Sequence, residues 1–179
     1  MGKVRIIGGV HRSRILTFND KIEGLRPTPD RVRETLFNWL GQDLTEKTCL
    51  DLFAGSGILG FEAVSRNATH VVSVEANSIA NHDLHRNKKL LHAANLEIIY
   101  DNALHYIKRC SRKFDVIFLD PPYNSDLLGQ SLVLLKEYSL LSDHGIIYVE
   151  YKELPDLANY ILMKHKKAGI VNYMLIKPK

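Results

Sequence analysis

The stretch Leu50-Asp51-Leu52-Phe53-Ala54-Gly55-Ser56-Gly57-Ile58-Leu59-Gly60 decides how the rest of this chain is read. An apolar run carries Asp51, a glycine-rich turn follows, and a helical pattern begins at Ile58, so a strand passes through a tight loop into a helix. Gly55, Gly57 and Gly60 form a G-x-G-x-x-G pattern, and Glu75 ends the next apolar run. Glycines let the backbone come close to a ligand at the carboxyl end of a strand, and an acid on the second strand can accept from both hydroxyls of a ribose. A nicotinamide dinucleotide fits that pattern in part. Asp51 speaks against it, because a carboxylate inside the first strand suits a cationic ligand better than a pyrophosphate.

Outward from this loop the pattern alternates. Strands are expected at Cys49–Phe53, His70–Glu75, Leu96–Tyr100, Phe114–Leu119 and Ile146–Tyr151. Helices are expected at Ile58–Arg66, Ile79–Ala94, Ala103–Lys108 and Leu127–Tyr138, with Asn67 as a left-handed terminator of the first. Continuous apolar strands separated by helices predict an α/β fold whose mostly parallel sheet is covered on both faces. Tyr160–Lys166 and Ile170–Ile176 around Lys167-Ala168-Gly169 read as an antiparallel hairpin closing the sheet, with a helix through 155–165 as the alternative. Upstream, Lys3–Ile7 and Arg14–Phe18 around Gly8-Gly9 predict another hairpin. A helix runs from Pro29 to Leu40, with Thr28 as its N-cap and Val32, Leu36 and Trp39/Leu40 facing the core.

A second chemical motif lies at the end of the fourth strand, where Phe114–Leu119 runs into Asp120-Pro121-Pro122-Tyr123. Two prolines cannot donate ladder hydrogen bonds, so the strand stops there. The turn then offers the Asp120 carboxylate and the Pro121 carbonyl as acceptors, with an aromatic face beside them. That set suits the two N–H bonds of an exocyclic amino group on a nucleobase.

The chain has 179 residues, 45% of them hydrophobic and 25% charged, enough for one domain with its own core. Such a composition excludes disordered, collagenous and disulfide-scaffold proteins. Cys49 and Cys110 stand far apart and read as small core hydrophobes. The eight histidines form no metal-ligand grouping; His82 and His85 share a helix face but lack a third ligand. Apolar runs are too short to span a membrane, and the N-terminus lacks a signal peptide's apolar core, so a cytoplasmic protein is expected. Residues 1–33 carry eight Lys/Arg and three acids, net +5, whereas the remaining residues carry 16 basic and 17 acidic side chains, net −1. A basic N-terminal segment on a near-neutral body suggests a polyanionic partner.

Taken together, the glycine loop, the acidic second strand and Asp120-Pro121-Pro122-Tyr123 resemble class I S-adenosylmethionine-dependent amino-methyltransferases. Arg5-Ile6-Ile7-Gly8-Gly9, Leu25-Arg26-Pro27-Thr28, Asp30-Arg31-Val32-Arg33-Glu34-Thr35-Leu36-Phe37-Asn38 and Leu52-Phe53-Ala54-Gly55-Ser56-Gly57 resemble, more closely, the bacterial 16S ribosomal RNA guanine-N2 methyltransferases of the RsmD type. Nearly the whole chain takes part. Ser13, Pro29 and Tyr123 are small departures from the family's usual residues.

This resemblance implies a Rossmann-like class I methyltransferase domain over residues 27–179, with a seven-stranded sheet, preceded by a basic β-hairpin arm over residues 1–26. Asp51, Phe53, Ala54, Gly55, Ser56 and Gly57 would hold the methionine part of S-adenosylmethionine, Glu75 its ribose, and Asp101, Asn102 and Ala103 its adenine. Asp120, Pro121, Pro122 and Tyr123 would hold the target guanine. Arg5, His11, Arg12, Arg14, Arg26, Arg31 and Arg33 would grip phosphates of 16S ribosomal RNA, within the small ribosomal subunit or an assembly intermediate. A monomer is expected, with no membrane partner and no metal. A DNA adenine-N6 or cytosine-N4 methyltransferase would share the Asp-Pro-Pro-Tyr chemistry, but the chain has little room for a DNA target-recognition domain. A non-catalytic RNA-binding protein on this fold is the other alternative, and Asp51, Glu75 and Asp120 count against it.

Overall fold

In a computed structural model describing residues Met1–Lys179, the chain runs β1 (Gly2–Arg5), β2 (Ile15–Phe18), α1 (Asp30–Leu40), β3 (Thr48–Asp51), α2 (Ile58–Ser65), β4 (His70–Glu75) and α3 (Ser78–Leu91). It continues through β5 (Leu96–Tyr100), α4 (Ala103–Arg109), β6 (Phe114–Leu119), α5 (Leu127–Glu137), β7 (Leu141–Tyr151), β8 (Tyr160–Ala168) and β9 (Val171–Pro178). Seven strands form one sheet in the order β5-β4-β3-β6-β7-β9-β8. All neighbours from β5 to β7 are parallel, and β9 is antiparallel to both β7 and β8. The strands are apolar on both sides because helices cover both faces. One apolar cluster gathers Val32, Leu36 and Phe37 of α1, Phe61 of α2 and Leu84 of α3; the other gathers Tyr106 and Ile107 of α4 with Leu132 and Leu135 of α5.

The N-terminal strands pair with each other and pack against this body. Val4, Ile6, Leu16 and Phe18 join the same apolar cluster as α1, α2 and α3. Backbone amides fasten the hairpin: Ile7 N donates to Glu62 Oε1 at 2.8 Å, Val10 N to Ser65 O at 2.7 Å and Asn19 N to Asp83 Oδ2 at 2.7 Å.

The antiparallel tail hairpin is present. Residues Tyr160–Ala168 are a strand, which removes the alternative helix through 155–165. Asn67 does end α2's turn in the left-handed region, at φ 68°. Cys49 is buried as expected, but Cys110 is only half-buried, with Sγ 3.4 Å from the Tyr106 hydroxyl. Thr28 does not cap α1. Pro29, at φ −59° and ψ 150°, lies outside the helix, and the Thr28 hydroxyl instead donates to Glu150 Oε1 at 2.8 Å. Because Pro29 keeps an extended ψ, the helix begins at Asp30 and Thr28 lies one position too far out to cap its amides. No helix is long and apolar enough to cross a membrane.

Candidate active site

Connections leave β3 toward β4 on one side and β6 toward β7 on the other, so the crevice between β3 and β6 is the point where strand order reverses. Ligands of open α/β sheets bind there, at the carboxyl ends of the strands. Asp51 ends β3 at this crevice and is 2% exposed. Its one hydrogen bond comes from Gly60 N, at 3.0 Å to Oδ2. Burial, and then the Glu75 and Glu150 charges, push its pKa up to about 7 against that bond. No cation stands beside it, so a ligand cation would complete the pair. Gly60 is required for this approach: a Cβ there would lie 2.6 Å from Ser73 Oγ and 3.3 Å from Asp51 Oδ2. Gly57 is held at φ 77°, and a Cβ would run into Leu84 and Phe61.

Glu75 ends β4 and has both carboxylate oxygens anchored by backbone. Gly55 N donates to Oε2 and Asn77 N to Oε1, each at 2.7 Å. The orientation is fixed, and lone pairs remain on both oxygens for hydroxyl donors. The same bond decides against a dinucleotide: the Gly55 amide that a pyrophosphate would need is already spent on a carboxylate. Ala54 N is likewise committed to Val74 O at 3.0 Å and Gly57 N to Ala54 O at 2.6 Å. Phe53 is half-buried, and Ser56 is 6% exposed.

Past β5, Asp101 faces the same end of the sheet, its amide bonded to Glu75 O at 3.2 Å. Partial burial raises its pKa, but bonds from His105 and Arg109 more than offset that and hold it below the usual carboxylate range. Asn102 is less free than its sequence position suggests. Its side chain caps α4, accepting from Leu104 N at 2.9 Å and His105 N at 3.2 Å, while Ala103 is buried.

Asp120 follows β6 and is half-buried; Pro121 is buried, whereas Pro122 and Tyr123 face solvent. Lys152 Nζ stands 5.1 Å from the Tyr123 ring centroid. Burial and the Glu150 and Asp51 carboxylates raise the Asp120 pKa well above its ordinary value. Glu150 was not singled out by its sequence. It is 2% exposed on β7, where Leu119↔Val149 pairing places it next to Asp120, and it accepts from the Thr28 and Tyr148 hydroxyls at 2.8 and 3.0 Å. A lone acid within Ile146-Ile147-Tyr148-Val149-Glu150-Tyr151 was the available signal, parallel to Asp51 in its own apolar strand. Three carboxylates therefore meet at the ends of β3, β6 and β7.

Residues 19–28 connect the hairpin to α1 across this end of the sheet. Leu25 packs 3.8 Å from where a Gly55 Cβ would lie, and Thr28 is bonded to Glu150. Exposed Arg26 is held between these two anchors, beside the crevice. Arg5, Arg12, Arg14 and Arg31 are also exposed, with Arg5 Nη2 3.4 Å from Asp30 Oδ2. His11 is half-buried, and burial, then Arg14, lower its pKa. Arg33 is a correction. It is completely buried, paired with Glu62 and Asp30, and donates to Thr28 O and Arg5 O at 2.9 Å each, so no phosphate can reach it.

A crevice that repels pyrophosphate and favours a cation, on a seven-stranded sheet with one reversed strand near its edge, defines a Rossmann-like methyltransferase fold. Comparison with known proteins narrows the class. The chain belongs to the family described as Conserved hypothetical protein 95, the RsmD family, whose model matches residues 4–177. Ribosomal RNA small subunit methyltransferase D of Escherichia coli K12 is 42% identical over 178 residues, covering 97% of this chain and 89% of the relative. The protein of that name from Haemophilus influenzae is 44% identical over 181 residues, covering 97% and 93%. The solved Escherichia coli protein yhhF superposes with a TM-score of 0.90 at 40% identity, covering 99% of both chains.

Proposed function

We propose that this protein methylates the exocyclic N2 of a guanine in 16S ribosomal RNA, using S-adenosylmethionine. The observation that carries this reading is the Asp120-Pro121-Pro122-Tyr123 turn, set beside Asp51 at the crevice where the strand order reverses. Two small-subunit ribosomal RNA methyltransferases related over almost the whole chain support the substrate.

The residues present fit the methyl donor. Asp51 is a buried carboxylate without a cation, suited to the ammonium of the methionine part, and Glu75 is fixed to accept from ribose hydroxyls. Asp101 is the candidate acceptor for the adenine amino group. S-adenosylmethionine supplies a methyl group on a positively charged sulfur, already activated for transfer. The protein's task is to prepare the nitrogen. A guanine amino lone pair is delocalised into the ring and is weakly nucleophilic. Asp120 and the Pro121 carbonyl accept its two N–H bonds, which favours pyramidalisation and stabilises the positive charge that builds on nitrogen. Tyr123 offers a stacking face, and alignment supplies much of the remaining acceleration. Arg5, His11, Arg12, Arg14, Arg26 and Arg31 hold RNA phosphates while the base turns into the crevice.

Incubation with radiolabelled S-adenosylmethionine and either unmethylated small subunits or free ribosomal RNA, followed by mapping of the modified base, tests this. Label on N2 of one guanine is expected. Label on adenine, cytosine or DNA instead overturns the reading, and calorimetry showing no S-adenosylmethionine binding favours a non-catalytic protein.

A further inference from the structure

The charge of this chain is not confined to its N-terminus. From Leu157 to Lys179 there is no Asp or Glu, and five lysines follow one another: Lys164, Lys166, Lys167, Lys177 and Lys179. Residues 34–156 carry 11 basic and 17 acidic side chains, net −6, so a second basic segment balances the first from across an acidic middle.

Three of these lysines lie on β8, the outer strand of the sheet, where residues 161–167 are all exposed. Pairing fixes their place. Glu150 of β7 lies opposite Tyr173 of β9, and Tyr173 lies opposite Lys166 of β8. Continuing the Leu119↔Val149 register by one residue puts Asp120 opposite Glu150. Asp120, Glu150, Tyr173 and Lys166 therefore form a cross-strand row on one face of the sheet. Three strand spacings of about 4.8 Å separate its ends, roughly 14 Å, a span of a few nucleotides. Lys164 shares that face. Lys167 lies on the other, where the His165 ring meets Tyr151 at 6.2 Å.

We propose that the β8 edge, through Lys164, Lys166 and Lys167, is a second contact for the phosphate backbone of the substrate RNA, flanking the Asp120 turn on the β7 side. It rests on the ribosomal RNA reading above. Lysines on an exposed edge strand also discourage sheet-to-sheet pairing between molecules. That use needs neither an acid-free segment nor a position in line with the site.

The test compares the full chain with a Lys164→Gln/Lys166→Gln/Lys167→Gln variant and a Lys→Arg variant at the same positions. Binding to unmethylated 16S ribosomal RNA transcript is measured against salt, alongside S-adenosylmethionine calorimetry and thermal melting. The Gln variant is expected to bind RNA at least about tenfold more weakly at 0.15 M salt, with a log–log salt slope shallower by about 2. Its melting and cofactor affinity stay those of the parent, and the Arg variant restores both RNA readouts. RNA affinity and slope equal to the parent's overturn the proposal, as does a Gln variant whose only change is self-association. Binding is measured on unmethylated small subunits as well, and failure of the parent to bind or methylate either form of the RNA overturns the ribosomal RNA reading and this contact with it.

Discussion

Asp51 is buried with one amide donor and no cation, so its ionisation is tied to its ligand. Its pKa near 7 means that the free protein takes up a proton there as the pH falls through neutrality. The ammonium group of S-adenosylmethionine needs the carboxylate. Affinity is therefore expected to weaken below a pH of about 7, approaching tenfold per pH unit, since each unit of pKa is about 1.4 kcal/mol. Calorimetry across that range checks it: Asp51→Asn should bind weakly and without the slope, and a slope retained by Asn would contradict the role. Asp120 acts on the other substrate. Asp120→Ala is expected to abolish methyl transfer while cofactor affinity stays within about tenfold, or about 1.4 kcal/mol. Near-normal turnover in that variant would sink the assignment.

Arg31 and Arg33 on α1 show how one element divides its charges. Two residues apart on a helix point to nearly opposite sides. Arg31 meets solvent, while Arg33 enters the core and meets Glu62, which also pairs with Arg66 and accepts from the hairpin amide of Ile7. Arg33 thus joins α1, α2 and β1 in one buried ionic junction. Arg33→Ala would strip a partner from a buried carboxylate, so a loss of about 3–5 kcal/mol in denaturant unfolding is expected. Arg12→Ala/Arg14→Ala on the exposed hairpin tip should change stability by no more than about 0.5 kcal/mol. It should instead raise the RNA KM and flatten its salt dependence. An unchanged salt slope would reject the hairpin as an RNA contact. The RVRE pattern of α1 was legible as a helix, but which arginine goes inside depends on Glu62, far along the chain.

Three carboxylates brought together in one crevice also set the pH response of folding. Burial raises the pKa of Asp51, Asp120 and Glu150 above their unfolded values. The folded state thus keeps protons that the unfolded chain releases, and the stability these groups give is full below the ordinary carboxylate range and lost as the pH rises through their raised values, about 7 for Asp51. Glu97, Asp101 and Asp115, whose pKa values are lowered, act in the opposite sense, and only at more acidic pH. The ligand-free protein is expected to be more stable at a pH near 5.5 than near 8, and Asp51→Asn to reduce that difference. Stability that climbs steadily through this interval would contradict the shared burial. The alternating pattern, the glycine loop, Asp51, Glu75 and Asp120-Pro121-Pro122-Tyr123 were all readable along the chain, because strand period, turn chemistry and motif spacing are local properties. Glu150 beside Asp120, Thr28 drawn from its helix to Glu150, the burial of Arg33 and the lysine edge in line with the crevice were not. Each follows from strand order and register, which bring distant residues side by side, and charge burial is settled only by what lies across that contact.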